Sequence, residues 1–156
     1  MNLDRQIKVL IDNAPQDGAT PKIVEAIAPA LKEFASRLKH SQYYVFRTLD
    51  EGWVLTNLSN RLQPSVEKNA IYAFATPEDA KRFQQVPDPQ TIIFELPVIH
   101  ILFQMFAMEE VDSTIFMETP GNLATGTEVF REQLQSRIQI YLQIYQQSRT
   151  IPPDIA

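Results

Sequence analysis

Residues 69–122 constrain this chain more than any other stretch. Three short runs rich in apolar, aromatic and β-branched residues, at 70–75, 91–96 and 113–117, alternate with two helical patterns. The segment Thr119-Pro120-Gly121-Asn122 then leads into a long helical pattern. Each crossover between strands spans roughly fifteen residues, enough for a parallel, right-handed connection. Local signals agree. Thr76-Pro77-Glu78-Asp79 supplies a cap, a proline in the first turn and two acids at the positive end of the helix dipole. Val86-Pro87-Asp88-Pro89 stops that helix, and Pro97 opens the next one, which runs to about residue 109.

The flanks complete the expected fold. Ile7, Leu10 and Ile11 predict a short helix over 3–13. Thr20-Pro21 reads as a cap followed by proline, opening a second helix with Ile23, Ile27, Leu31, Phe34 and Leu38 on one side. Pro29 should kink or split it, and it should end near His40. Residues 43–49 and 53–58, joined by Asp50-Glu51-Gly52, read as a β-hairpin. A polar loop is expected at 59–68. A long last helix is expected over 127–149, with Phe130, Leu134, Ile138, Tyr141, Leu142 and Tyr145 inward, followed by a tail at 150–156. The fold class is α/β (α+β), one domain over 1–156. Two N-terminal helices (1–40) precede a core (43–149) with a mixed sheet of about five strands, a β-hairpin plus a βαβαβ unit.

A chain of 156 residues can bury roughly 70% of its unfolded surface. The net charge of −5 and the scattered lysines and arginines argue against nucleic acid, whose phosphates need clustered cations. With no cysteine there is no disulfide, thiolate metal site or thiol nucleophile. The polar opening residues do not resemble a signal peptide, and the longest apolar run, 97–108, is broken by His100 and Gln104 and is too short for a bilayer. The expectation is a cytoplasmic protein with no membrane span.

Little in the chain points to chemistry. Gly121 and Gly126, with Asn122, Thr125 and Thr127, have the glycine spacing of a phosphate-binding loop between a strand and a helix. Thr127 stands where that loop needs its lysine, and Glu128 adds like charge. A turn with a Thr125 or Thr127 helix cap is therefore preferred to an anion site. His100 reads as a hydrogen-bonded histidine on a buried helix, since no second ligand lies at metal spacing. His40 reads as a helix C-terminal residue favoured by the dipole. The acids (Asp50, Glu51, Glu78, Asp79, Glu109, Glu110, Asp112) fall at turns and helix ends and read as solvated. No catalytic residue, metal or cofactor is assigned.

What remains is apolar surface. The helix over 97–109 is hydrophobic nearly all round; core is the preferred reading of Phe103, Met105, Phe106 and Met108, with a contact face that includes Met105 and Phe106 as the alternative. Ile140 and Ile144 widen the stripe of the last helix and suggest a homodimer contact or a protein partner, with burial under the domain as the alternative. The expected function is a non-enzymatic interaction or regulatory module; the alternative is a small-molecule or phosphate-ligand protein or enzyme using the 121–127 loop.

Residues 70–75 with Thr76, Asp79, Ala80 and Phe83 resemble the strand and following "Phe-Thr, then Asp-Ala and an aromatic" of SseB-like (enhanced serine sensitivity) domains. The Leu96-Pro97 step, the apolar helix, the 113–117 strand and Pro120-Gly121 follow in the same order, over about residues 43–145. Thr119-Pro120-Gly121 departs from that family's Asn-Pro-Gly at its first position. The resemblance implies a small bacterial α/β domain without an established catalytic site, and supplies no active-site residues.

Overall fold

A computed structural model describes residues 2–59 and 67–150. Among them the chain runs α1 (Leu3–Asp12), α2 (Thr20–Ala35), β1 (Gln42–Thr48), β2 (Thr56–Ser59) and β3 (Glu67–Phe74). It continues through α3 (Pro77–Gln84), β4 (Thr91–Pro97), α4 (Val98–Ala107), β5 (Ser113–Met117), β6 (Thr127–Phe130) and α5 (Arg131–Thr150). The loop expected at 59–68 and the tail beyond 150 fall largely outside the described residues.

The expected α+β class is what the structure has, with a mixed sheet of six strands in the order β4-β1-β3-β5-β6 and β2 paired beside β3. β3 and β5 are parallel, and β1 runs antiparallel to both β3 and β4. The three strands of the expected crossover unit thus share one direction, but β1 is inserted between β3 and β4. The sequence of β1 suits a central position. Tyr43 and Val45 are buried on one face, and Tyr44 and Phe46 pack on the other.

Several local expectations need correction. The 43–58 hairpin forms its turn, with Thr48 N–H donating to Gly52 O at 2.8 Å and Glu51 at a positive φ of 68°. Its arms then part. Beyond the single Arg47–Trp53 bridge, the second arm becomes β2 and pairs with β3, Thr56 opposite Ala70. Residues 127–130 are a strand rather than the start of the last helix. Their alternation puts Val129 opposite Thr114 and buries it. Thr20 is the first helical residue and not the cap of α2; the N-cap is Ala19, which has no side-chain cap bond. Just before it, the Asp17 carboxylate accepts Ala19 N–H, Thr20 N–H and the Thr20 hydroxyl. Those bonds hold the Asp17 carboxyl down at about 2. α2 runs unbroken through the exposed Pro29 and stops at Ala35, so His40 lies beyond its end.

The helices make two unequal layers. α1, α2, α4 and α5 cover one face of the sheet and enclose the main core, including Ile27, Leu31, Ile71, Ile99, Phe116 and Leu134. α3 covers the other face through Ala80 and Phe83, against Tyr72, Phe74 and Met117. α4 lies within the main core, which explains its nearly continuous apolar sequence. Its start, which has no side-chain cap of its own, is capped across the fold. Gln6 Oε1 accepts Ile99 N–H at 3.0 Å while Gln6 Nε2 donates to Ser41 O at 2.8 Å.

Met105 is 0% exposed and belongs to the core, as preferred from the sequence, which leaves no contact-face role for it. Phe106 is half-buried and packed against that core. Met105→Ala should cost about 2–5 kcal/mol in urea unfolding, whereas Ile140→Lys, on the exposed side of α5, should stay within about 0.5 kcal/mol. The reverse ranking would contradict this layer assignment.

Candidate functional site

The 119–126 loop is fastened by its own acceptors. Gly121 N–H donates to both carboxylate oxygens of Asp79, at 3.1 and 3.0 Å, and Gly121 adopts a φ of +83°. Asn122 Oδ1 accepts the N–H groups of Ala124 and Thr125. The loop then enters β6, so neither a Thr125 or Thr127 helix cap nor a helix N-terminus for an anion forms here. The amides of Gly121, Asn122, Ala124 and Thr125 are taken, and two carboxylates, Asp79 and Glu118, already contact the loop and the start of β6. Gly126 has a packing role: a Cβ there would come within 2.8 Å of Phe116 O and 2.9 Å of Met117 Sδ.

Glu118, which sequence reasoning passed over, is the most connected buried acid. It is 8% exposed at the end of β5. Its carboxylate accepts Lys39 N–H at 2.8 Å, the Tyr43 hydroxyl at 2.9 Å and the Thr127 hydroxyl at 2.8 Å. Burial pushes this carboxyl up, but those donors outweigh it and hold it below the usual range. Burial, reinforced by the Glu118 carboxylate, pushes the Tyr43 hydroxyl far up. His40 Nε2 lies 2.6 Å from Glu118 O, so His40 closes this cluster instead of capping α2. The Tyr43 and Thr127 hydroxyls and Lys39 N–H are all given to the Glu118 carboxylate, and His40 Nε2 is engaged with Glu118 O. Asp79, expected as a solvated helix-end acid, is 2% exposed and is the anchor of the loop.

His100 stacks on Trp53, ring centroids 6.5 Å apart. Burial first, and the nearby Arg47 second, hold its pKa below the ordinary value. The Arg47 guanidinium lies over both Trp53 and Phe94 and donates to Glu51 O. Among the described residues no group of three or more His, Asp or Glu side chains could hold a metal ion. Among them, too, no helix is long and apolar enough to cross a membrane.

Among the described residues, α5 and β4 each leave a pair of neighbouring large apolar side chains uncovered. On α5, Ile140 and Ile144 are 45% and 56% exposed, one turn apart, beside a shallow groove of about 230 Å³ lined by Ala26, Tyr141, Ile144 and Tyr145. Nearby, Glu33 accepts from Arg137 at 2.9 Å and from Tyr141 at 2.6 Å, fixing α5 on α2. The second surface is β4, the edge of the sheet, where Ile92 and Phe94 are 41% and 38% exposed. They lie on the four-helix face, opposite Arg47 and Val45 of β1, but beyond the reach of the helices.

The hydrogen-bond phase of that edge follows from its two ends. Leu49 N–H donates to Gln90 O, and Val98 N–H donates to Ser41 O, both in the β1–β4 register. In an antiparallel ladder alternate residues turn their backbone groups to the partner. Ile92, Phe94 and Leu96 therefore face β1, and Ile93 and Glu95 direct N–H and C=O outward. Thr91 N–H, at the start, is already given to Asp88 O, and Pro97, at the end, has none. The open donors are those of Ile93 and Glu95.

No protein-family model matches the chain, and no curated protein matches it.

Two outcomes test this geometry. Gly126→Ala should lower stability by about 1–3 kcal/mol through overpacking against strand backbone, read by chemical denaturation; an unchanged midpoint would mean the loop gives way freely. His100 and the carboxyls of Glu33, Glu118 and Glu128 all sit below their ordinary values in the folded chain. Protonation therefore favours unfolding: their contribution is present above the ordinary pKa values and is lost as pH falls, through His100 before the acids. The melting temperature should drop between pH 7.5 and 5.5, and His100→Phe, which keeps a ring on Trp53, should flatten that drop.

Proposed function

We propose that this protein is a non-enzymatic interaction and regulatory module that docks an extended partner segment along β4. The observation behind this is the edge itself, with the outward donors of Ile93 and Glu95 unused by the sheet and Ile92 and Phe94 exposed beside them. Strand addition to such an edge gains backbone hydrogen bonds for affinity and alternate side chains for specificity. Engagement of Asp79, Glu118, His40 and Tyr43 within the fold supports a binding role over a catalytic one. A second reading puts the contact on α5, and the exposure of Ile140 and Ile144 favours it.

The resemblance to SseB-like domains is part of the proposal. It gains support from the Asp79–Gly121 contact, which joins the "Asp-Ala" and "Pro-Gly" portions of that pattern. A cytoplasmic setting fits the lack of cysteine.

Displayed peptides of about ten residues, selected on the immobilised protein, should show alternating apolar positions. Their binding should fall about ten-fold or more, or ~1.4 kcal/mol, in Phe94→Glu. Binding lost only in Ile140→Lys/Ile144→Lys moves the site to α5. Selection that returns no peptide sensitive to either variant counts against the module.

A further inference from the structure

We infer that the occupant of the β4 edge is β4 of a second copy of this chain, antiparallel, about a two-fold axis at Phe94. This deepens the strand-docking reading and rests on it. A two-fold axis normal to the sheet keeps like faces together, so a residue can only oppose one of its own parity. Three registers then lie near the centre of the strand. With Glu95 on the axis, two carboxylates oppose each other. With Ile93 on the axis, the overlap is confined to 91–95, and Leu96 falls opposite Gln90 beyond the start of β4. With Phe94 on the axis, Thr91–Pro97 overlaps its copy along its whole length.

The Phe94 register also suits the chemistry of the edge. Ile93 opposes Glu95 of the other copy as a hydrogen-bonded pair, and the reverse, so all four open N–H groups meet the four outward C=O groups. The pairing ends where donors end: Thr91, whose N–H is held by Asp88 O, opposes Pro97, which has none. On the four-helix face Phe94 meets Phe94 at the close spacing of a non-hydrogen-bonded pair, and Ile92 meets Leu96. On the other face Glu95 opposes Ile93, and its carboxylate is drawn aside by the Tyr44 hydroxyl at 2.6 Å. No like charges oppose each other across the seam.

Because the chain has no cysteine, single introduced thiols report the register directly. A Phe94→Cys pair would sit about 4.5 Å apart at Cα, within disulfide range. Under mild oxidation at tens of micromolar, Phe94→Cys should form a covalent dimer at least about ten-fold faster than Ile92→Cys or Ile93→Cys. Ile92→Cys/Leu96→Cys should cross-link as Phe94→Cys does. In the unmodified protein, amide exchange at Ile93 and Glu95 should slow as concentration rises, which needs no variant to fold. Equal rates at 92, 93 and 94, or fastest coupling at Ile93→Cys, overturn the register. Rapid coupling of Ile144→Cys with none at 94 transfers self-association to α5 and overturns the inference. A protein that stays monomeric at hundreds of micromolar, with exchange independent of concentration, also overturns it. If selected peptides then still bind and Phe94→Glu abolishes that binding, the strand-docking reading stands without self-pairing; if they do not, both fall.

Discussion

β1 lies between two strands that run the opposite way, and the rest of the fold is arranged to hold it there. A strand reaching this place from the α2 side leaves polar backbone and connecting segments close to the core, where each unpaired group is costly. The structure answers at both ends. Gln6 ties Ser41, just before β1, to the first turn of α4. Glu118 gathers Lys39 N–H, the Tyr43 hydroxyl and Thr127, joining the entry to β1 to the end of β5 and the start of β6. At the far end Arg47 lies over Trp53 and Phe94, bridging the turn to β4. A buried carboxylate with three donors is kept ionised, so the Glu118 contacts weaken together under acid.

The position of β1 also decides what is exposed. Because it separates β3 from β4, β4 has a partner on one side only. The helix layer centres on β1, β3 and β5, and Ile92 and Phe94 lie past its margin. An edge that keeps its donors and its apolar side chains has not been blunted along its length. Its limits are instead set at the ends, by the Asp88–Thr91 turn and by Pro97.

Elements whose cause is local were legible in the sequence. β5 was read residue for residue from its β-branched and aromatic run, and α3 from the Thr76 cap, which accepts Asp79 N–H. Elements whose cause is a distant partner were not. The 53–58 segment has strand character, but nothing local says that it pairs with β3 rather than β1. Thr127-Glu128-Val129-Phe130 carries both a strand alternation and residues that extend the α5 pattern; pairing with β5 decides for the strand. Glu118 did leave a signal: it continues the alternation of Thr114 and Phe116 onto the buried face. Gln6 left none, since a polar residue in a short amphipathic helix normally faces water. At the candidate site, Ile140 and Ile144 were legible as surplus to one apolar stripe. The β4 edge was not, because edge status belongs to the sheet order and not to the strand's own residues.

Magnitudes indicate what kind of contact such an edge can make. Four new backbone hydrogen bonds contribute roughly 0.5–1.5 kcal/mol each, and aromatic or apolar cross-strand pairs roughly 0.2–1 kcal/mol each. Association itself costs on the order of 4–15 kcal/mol in lost rigid-body freedom. These terms are close in size, so the proposed pairing through β4 would be reversible and sensitive to concentration, unlike the packing that holds β1. A net charge of −5 on each copy opposes self-pairing at low salt and is screened as salt rises. A contact so balanced is set by small changes at its seam. An added charge at Phe94 would be enough to abolish it while leaving the four-helix core, which that residue borders but does not fill, in place.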